Sequence, residues 1–124
     1  MHKKRILAVM SDLLFTVKIN DAAKRAGMDV VYAKSDKEAL DLAKEKPSVV
    51  ILDLNFDAGH PLKLIERLKS DENLKGTSVI GFVSHIQGEL KQKAQEAGCD
   101  MVMARSAFSQ NLPLILKRHS GLVA

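Results

Sequence analysis

A chain of 124 residues has the size of one domain and is too short for two well-packed ones. Hydrophobic residues make up 46% and charged residues 27%, a globular composition that excludes a disordered chain. The formal net charge is +4, but bases alternate with acids, as in Glu66/Arg67 and Glu89/Lys91, and aromatics are only 4%, so no nucleic-acid binding is expected.

In chain order, a short basic lead-in, Lys3–Lys4–Arg5, runs into the apolar stretch Ile6-Leu7-Ala8-Val9-Met10, which reads as a strand buried on both faces. From Leu13 to Ala26 the residues Phe15, Ile19, Ala22, Ala23 and Ala26 share one helical face, and Gly27 is placed to end that helix. Val30 to Ala33 is a second strand. Ser35-Asp36-Lys37-Glu38 has capping-box spacing and opens a helix with Ala39, Leu40 and Ala43, stopped near Pro47. Val49-Val50-Ile51-Leu52 is the clearest strand, β-branched and uncharged until Asp53. Pro61 suits the first turn of a third helix striped by Leu64, Ile65 and Leu68. Val79 to Val83 is a fourth strand, and Leu90, Ala94 and Ala97 mark a fourth helix with Gly98 as a left-handed cap. Met101 to Ala104 is the fifth strand. Phe108, Leu112, Ile115 and Leu116 stripe the last helix, which is expected to kink at Pro113 or to begin there.

Strands alternating with crossover helices give a parallel sheet with helices on both faces. The expected fold class is therefore α/β, a three-layer sandwich around five parallel strands, with residues 1–124 as a single domain and no output domain. There are no internal repeats or low-complexity linkers, no long apolar stretch like that of a signal peptide, and no segment long enough to span a membrane. With one cysteine, Cys99, no internal disulfide is possible, and a reducing, cytoplasmic setting is expected. Cys99 itself is expected to be a buried, inert thiol.

In an open parallel sheet the working residues lie beyond the carboxyl ends of the strands. Those ends read Met10-Ser11-Asp12, Asp53-Leu54-Asn55, Val83-Ser84-His85 and Ala104-Arg105-Ser106. Asp53, charged and directly after a fully apolar strand, is the leading functional candidate. Ser84-His85 invites a hydrolase reading, but adjacent residues at a strand end point in different directions and no nucleophile-elbow glycine pattern is present. His2, His60, His85 and His119 lack ligand spacing, so His60 is expected to be a surface-loop residue. A flavin or nucleotide would want glycines after the first strand, where Met10-Ser11-Asp12-Leu13-Leu14 has none.

The run Ser48-Val49-Val50-Ile51-Leu52-Asp53-Leu54 resembles the phosphoacceptor strand of response-regulator receiver domains. Lys4-Arg5-Ile6-Leu7-Ala8-Val9 and Ala94-Gln95-Glu96-Ala97-Gly98-Cys99-Asp100 resemble matching stretches of that family. Val83 stands 30 positions after Asp53, and Arg105 stands 22 after Val83, the family's separations from acceptor to switch hydroxyl to site lysine. The resemblance spans the whole chain and implies a flavodoxin-like sheet of order 2-1-3-4-5 in a signal-transduction domain of bacterial two-component systems.

It also implies specific losses. Receivers hold Mg²⁺ beside the acceptor with an acidic pair, which aligns here with Met10 and Ser11, leaving Asp12 next door. The switch hydroxyl aligns with Val83, the lysine with Arg105, the following proline with Ser106 and the aromatic switch residue with Val102. Only Asp53 stands unchanged, with Asn55 where a main-chain carbonyl would face the metal. The family signals through the face formed by the fourth helix, fifth strand and fifth helix, here Arg105-Ser106-Ala107-Phe108, Lys91, Lys93 and Gln95, with Phe108 expected in the core.

Mg²⁺ takes near-octahedral oxygen ligation, for which a thioether and a serine hydroxyl are poor substitutes, and Val83 cannot hydrogen-bond a phosphoryl oxygen. Arg105 keeps a charge, but its planar fork does not replace an ammonium. Asp53 is therefore expected to pair with Arg105 or to stand in solvent. The leading reading is a receiver-like, non-enzymatic signalling domain, acting through protein contacts independently of phosphorylation. No cofactor and no metal are expected; Asp12, Asp53 and Asn55 are the weak metal candidates. Protein partners, such as a histidine kinase or a downstream effector, or self-association, would carry the signal, without nucleic acid or membrane. The alternative is a phosphorelay acceptor weakly phosphorylated on Asp53, using Mg²⁺ with Asp12 or Asp57 as second carboxylate. A small enzyme on the same fold is a third class.

Overall fold

The structure is a computed structural model that describes residues 4–85 and 88–120; His2 and Lys3 lie outside the described residues. Five strands, β1 (Arg5–Val9), β2 (Asp29–Ala33), β3 (Val49–Asp53), β4 (Ser78–Val83) and β5 (Met101–Ala104), form one parallel sheet in the order β2-β1-β3-β4-β5. This is the expected order. The interior strands are apolar because both of their faces are covered: Ile6 to Val9 and Val49 to Leu52 are fully buried.

Two helices cover one face and three the other. On the first, α1 (Leu13–Ala26) and α5 (Arg105–His119) lay Phe15, Ile19, Phe108, Leu112 and Leu116 over Ile6, Ala8, Ile51 and Phe82. On the second, α2 (Asp36–Leu42), α3 (Pro61–Ser70) and α4 (Gly88–Ala97) bring Ala39, Leu64, Ile65, Leu68 and Ala94 over Leu7, Val9, Val50, Leu52 and Val83. Phe15, Phe82 and Phe108 meet with ring centroids 5.0, 5.7 and 5.3 Å apart, contacts worth about 0.5–1.5 kcal/mol each beyond the area they bury. They join α1, β4 and α5 into one block just beneath the carboxyl end of the sheet.

Local signals set the ends of the elements. Ser35 caps α2 by accepting the Glu38 N–H at 3.1 Å, and Pro61 opens α3. Gly27 (φ 70°) ends α1 in the left-handed conformation. A different glycine makes room for packing: a Cβ on Gly81 would lie 2.9 Å from Leu54 Cδ1, so the bare strand there lets the Leu54 side chain lie against β4. The last helix departs from one expectation. It starts at Arg105, directly after β5, and runs through an exposed Pro113 rather than beginning there. Burial of Phe108 and Leu112 outweighs the one hydrogen bond that the proline nitrogen cannot donate. Phe108 is fully buried, as expected, and so is most of Cys99, whose thiol burial holds above its usual pKa.

Candidate functional site

The loops after β1, β3 and β4 and the direct β5–α5 junction lie at the carboxyl end of the sheet, with Asp53 at the end of the central strand β3. Its side chain is partly buried and accepts a hydrogen bond from the Asn55 N–H at 2.9 Å. Burial raises the carboxyl pKa above its ordinary value, and that N–H bond offsets part of the rise. Asn55 reaches the other way with its own side chain. Its Oδ1 accepts from the Ser84 N–H at 3.0 Å and the Ser84 Oγ at 3.4 Å, which ties the loop after β3 to the loop after β4.

Asp12 has two partners. It is the N-cap of α1, taking the Phe15 N–H at 3.0 Å on Oδ1, and its Oδ2 is ion-paired with the Arg105 guanidinium. Arg105 also lies 4.9 Å above the centre of the Phe15 ring, a cation–π contact. The expected pairing of Asp53 with Arg105 is therefore corrected. The arginine starts α5 beside α1, where Asp12 is held facing it by the cap, and the Phe15 face beneath completes its surroundings. Nor does Asp53 stand free in solvent, being partly buried and hydrogen-bonded.

The other aligned positions sort by burial. Met10 is 2% exposed and packs in the aromatic block, and Val83 is fully buried under α3 and α4. Val102 is 8% exposed in the same cluster as Val83. Ser11 is exposed. Asp57 is exposed in a single 3₁₀ turn, Asp57–Gly59. His60 is an exposed loop residue, as expected, with Nδ1 3.4 Å from Asp36 Oδ1. Ser84 Oγ is engaged with Asn55, and His85 is exposed. Among the described residues no three His, Cys, Asp or Glu side chains gather where they could share a metal ion.

Of the sequence candidates, the fold brings Asp12 to Arg105 and Asp53 to the Asn55 amide, and leaves Met10 and Val83 in the core. The cap at Asp12 was open to sequence reasoning, since an Asp directly before an apolar-periodic helix is an N-cap signal. Phe15 beneath Arg105 and the Asn55–Ser84 link carry no local signal, because each joins elements far apart in the chain.

No family model matches the chain. Among curated proteins it is similar to the polar-differentiation response regulator DivK of Brucella ovis and of Brucella abortus, 24% identical over 103 residues, covering 82% of this chain and 84% of each relative. Among solved structures it is similar to a response regulator from Hahella chejuensis (TM-score 0.84, 15% identity, 94% of each chain). The chemotaxis response regulator CheY4 of Vibrio cholerae has a TM-score of 0.80 at 20% identity, over 95% of this chain and 99% of that one. The receiver domain of NarL from Mycobacterium tuberculosis has a TM-score of 0.80 at 20% identity, over 96% and 98%. The strand order and the aspartate at the end of β3 are those of the receiver fold, and in sequence the chain is similar to response regulators.

Proposed function

We propose that this receiver transmits its signal by protein–protein contact, without phosphorylation at Asp53 and without catalysis of its own. The observation that carries the reading is the environment of the positions where the resemblance expects metal and phosphoryl ligands. Met10 and Val83 are core residues at 2% and 0% exposure, and Asp12 is held by the α1 cap and by Arg105. Phosphoryl transfer to a carboxylate brings anions together and needs a cation to neutralise the oxygens.

The residues present do not fit Mg²⁺. A thioether buried among phenylalanines offers no hard oxygen, Asp12 already has its cation, and Asp53 is left as one carboxylate with an amide neighbour. Arg105 brings a fixed charge to Asp12. The ties Asp12–Arg105 and Asn55–Ser84 fasten the segments that leave β1, β5, β3 and β4 in pairs, which supports a domain held in one arrangement. Its partners are then proteins that read this arrangement, a kinase or an effector among them.

Incubation with acetyl phosphate and Mg²⁺, followed by intact-mass measurement, tests the reading. The expected result is no gain of a phosphoryl group. A phosphoryl adduct on the intact chain that is absent from Asp53→Asn would overturn it and establish the phosphorelay acceptor instead.

A further inference from the structure

An open groove of about 460 Å³ runs between α1 and α5. Side-chain size explains it. Ala22 and Ala26 on α1, and Ser109 and Pro113 on α5, are i, i+4 pairs of short side chains that line it together, so the space between the helices stays open above the buried Leu112. The volume is that of a small-molecule pocket, about 300–1,000 Å³, and a mostly apolar lining with a few polar groups at the rim is the usual composition of such a pocket.

The same two helices hold the chain's excess charge. With the capping Asp12, they carry Lys18, Lys24, Arg25, Arg105, Lys117 and Arg118 against Asp12 and Asp21 alone. Of 19 basic and 15 acidic residues in all, that leaves 13 of each for the rest of the chain, so the whole excess of +4 lies here. Within the groove, Asp21 is matched by Arg25 at 3.3 Å. Lys18 and Lys117 are exposed and, among the described residues, form no ion pair. Lys18 donates to Ser109 Oγ at 3.3 Å, a bond that spans from one wall to the other. Lys18 and Ser109 therefore mark one end of the groove, and Arg25 and Lys117 the other. Along α1 these ends are about 10 Å apart.

We infer that this groove is a binding site for a small amphipathic anion, a single-chain carboxylate. Its hydrocarbon would lie along Ala22, Ala26, Leu112 and Pro113, and its head group would meet a rim lysine. The shape is long and narrow, which suits one extended chain. An amphipathic cation of the same length would meet the charges of Lys18 and Lys117, and a neutral chain would leave them uncompensated. A nucleic-acid phosphate would leave the apolar floor uncovered. The inference goes beyond the proposed function, because it gives the domain a small-molecule ligand and holds whether or not Asp53 accepts a phosphoryl group.

The probe is decanoate, kept below its micelle-forming concentration and titrated into ¹⁵N-labelled chain without Mg²⁺ or a phosphoryl donor. Amide NMR is expected to show saturable shifts centred on Lys18, Ala22, Ala26, Leu112 and Lys117. Decyltrimethylammonium and decanol, which reverse and remove the charge on the same chain, are run alongside, as are vesicles of phosphatidylglycerol. Decanoate is expected to bind more tightly than either, and to bind less tightly as salt is added. Its affinity is expected to fall about tenfold in K18E/K117E, whose two positions are exposed. A similar fall is expected in Ala26→Leu, which fills the groove and keeps both lysines. Amide dispersion is expected to stay unchanged in both variants. Shifts that do not saturate or that centre elsewhere would overturn the inference. So would equal binding of decyltrimethylammonium or decanol, tighter binding of the vesicles, or full decanoate affinity in K18E/K117E.

Discussion

Ile51 and Leu52 are fully buried in the body of β3, and Asp53, one residue on, is charged and partly exposed. On β3 Asp53 interrupts the apolar run, and Leu54 beyond it returns to the core. On the flanking strands the corresponding ends are uninterrupted: Met10 after β1 and Val83 at the end of β4 lie inside the apolar clusters. The body and the rim of the sheet thus obey one rule on these two strands and two rules on β3. The rim of the sheet can be polar or apolar strand by strand on one fold. Met10 and Val83 add to the core where they stand, so nothing in the sheet has to rearrange around them.

This comparison can be broken at several points. The largest effect is expected in the body: Phe82→Ala, which removes the ring that contacts both Phe15 and Phe108, should cost about 3–5 kcal/mol by urea unfolding. Met10→Asp tests the rim. A carboxylate placed among Phe15, Phe82 and Phe108 should cost about 2–4 kcal/mol at neutral pH, and a neutral outcome would mean that position 10 still opens to the site. Val83→Thr puts one hydroxyl into the aliphatic cluster and should cost about 1–2 kcal/mol.

Arg105→Ala releases Asp12 and uncovers the Phe15 face. Both charged groups are about one-third exposed, so solvent screening limits the loss to about 1 kcal/mol. The smallest effect has the opposite sign. Burial raises the Asp53 pKa above its ordinary 3.8, so in that range the folded chain binds more protons than the unfolded one, and stability falls as pH rises through the interval. Asp53→Asn, which removes the charge, should therefore gain a few tenths of a kcal/mol at pH 7, and the gain should vanish below pH 3.8. A mutant less stable than the parent at pH 7 would contradict the burial account.

Much of the fold was legible in the residues. The apolar runs of β1 and β3, the cap at Ser35, Pro61 at the start of α3 and the glycine stop at Gly27 are local signals, and each stands where the sequence puts it. The extent of α5 was less legible, because Pro113 is a local signal overridden by burial at Phe108 and Leu112, which only the tertiary structure supplies. At the site the identities of the end-of-strand residues were readable, but their pairing was not. Asp53 and Arg105 were the obvious opposite charges. Which carboxylate the guanidinium reaches depends on the α1 cap that fixes Asp12 and on a ring 90 residues before it in the chain.

Under the proposed function, the loops around Asp53 do not respond to a phosphoryl group. Beryllofluoride mimics the phosphorylated carboxylate, so the direct measurement is an amide NMR titration with Mg²⁺ and then beryllofluoride. Resonances of Asp12, Asp53, Ser84 and Arg105 that stay in place at millimolar concentrations of both are the predicted result. Concerted shifts at those residues, spreading into α4 and β5, would show a site that still switches and would contradict the account.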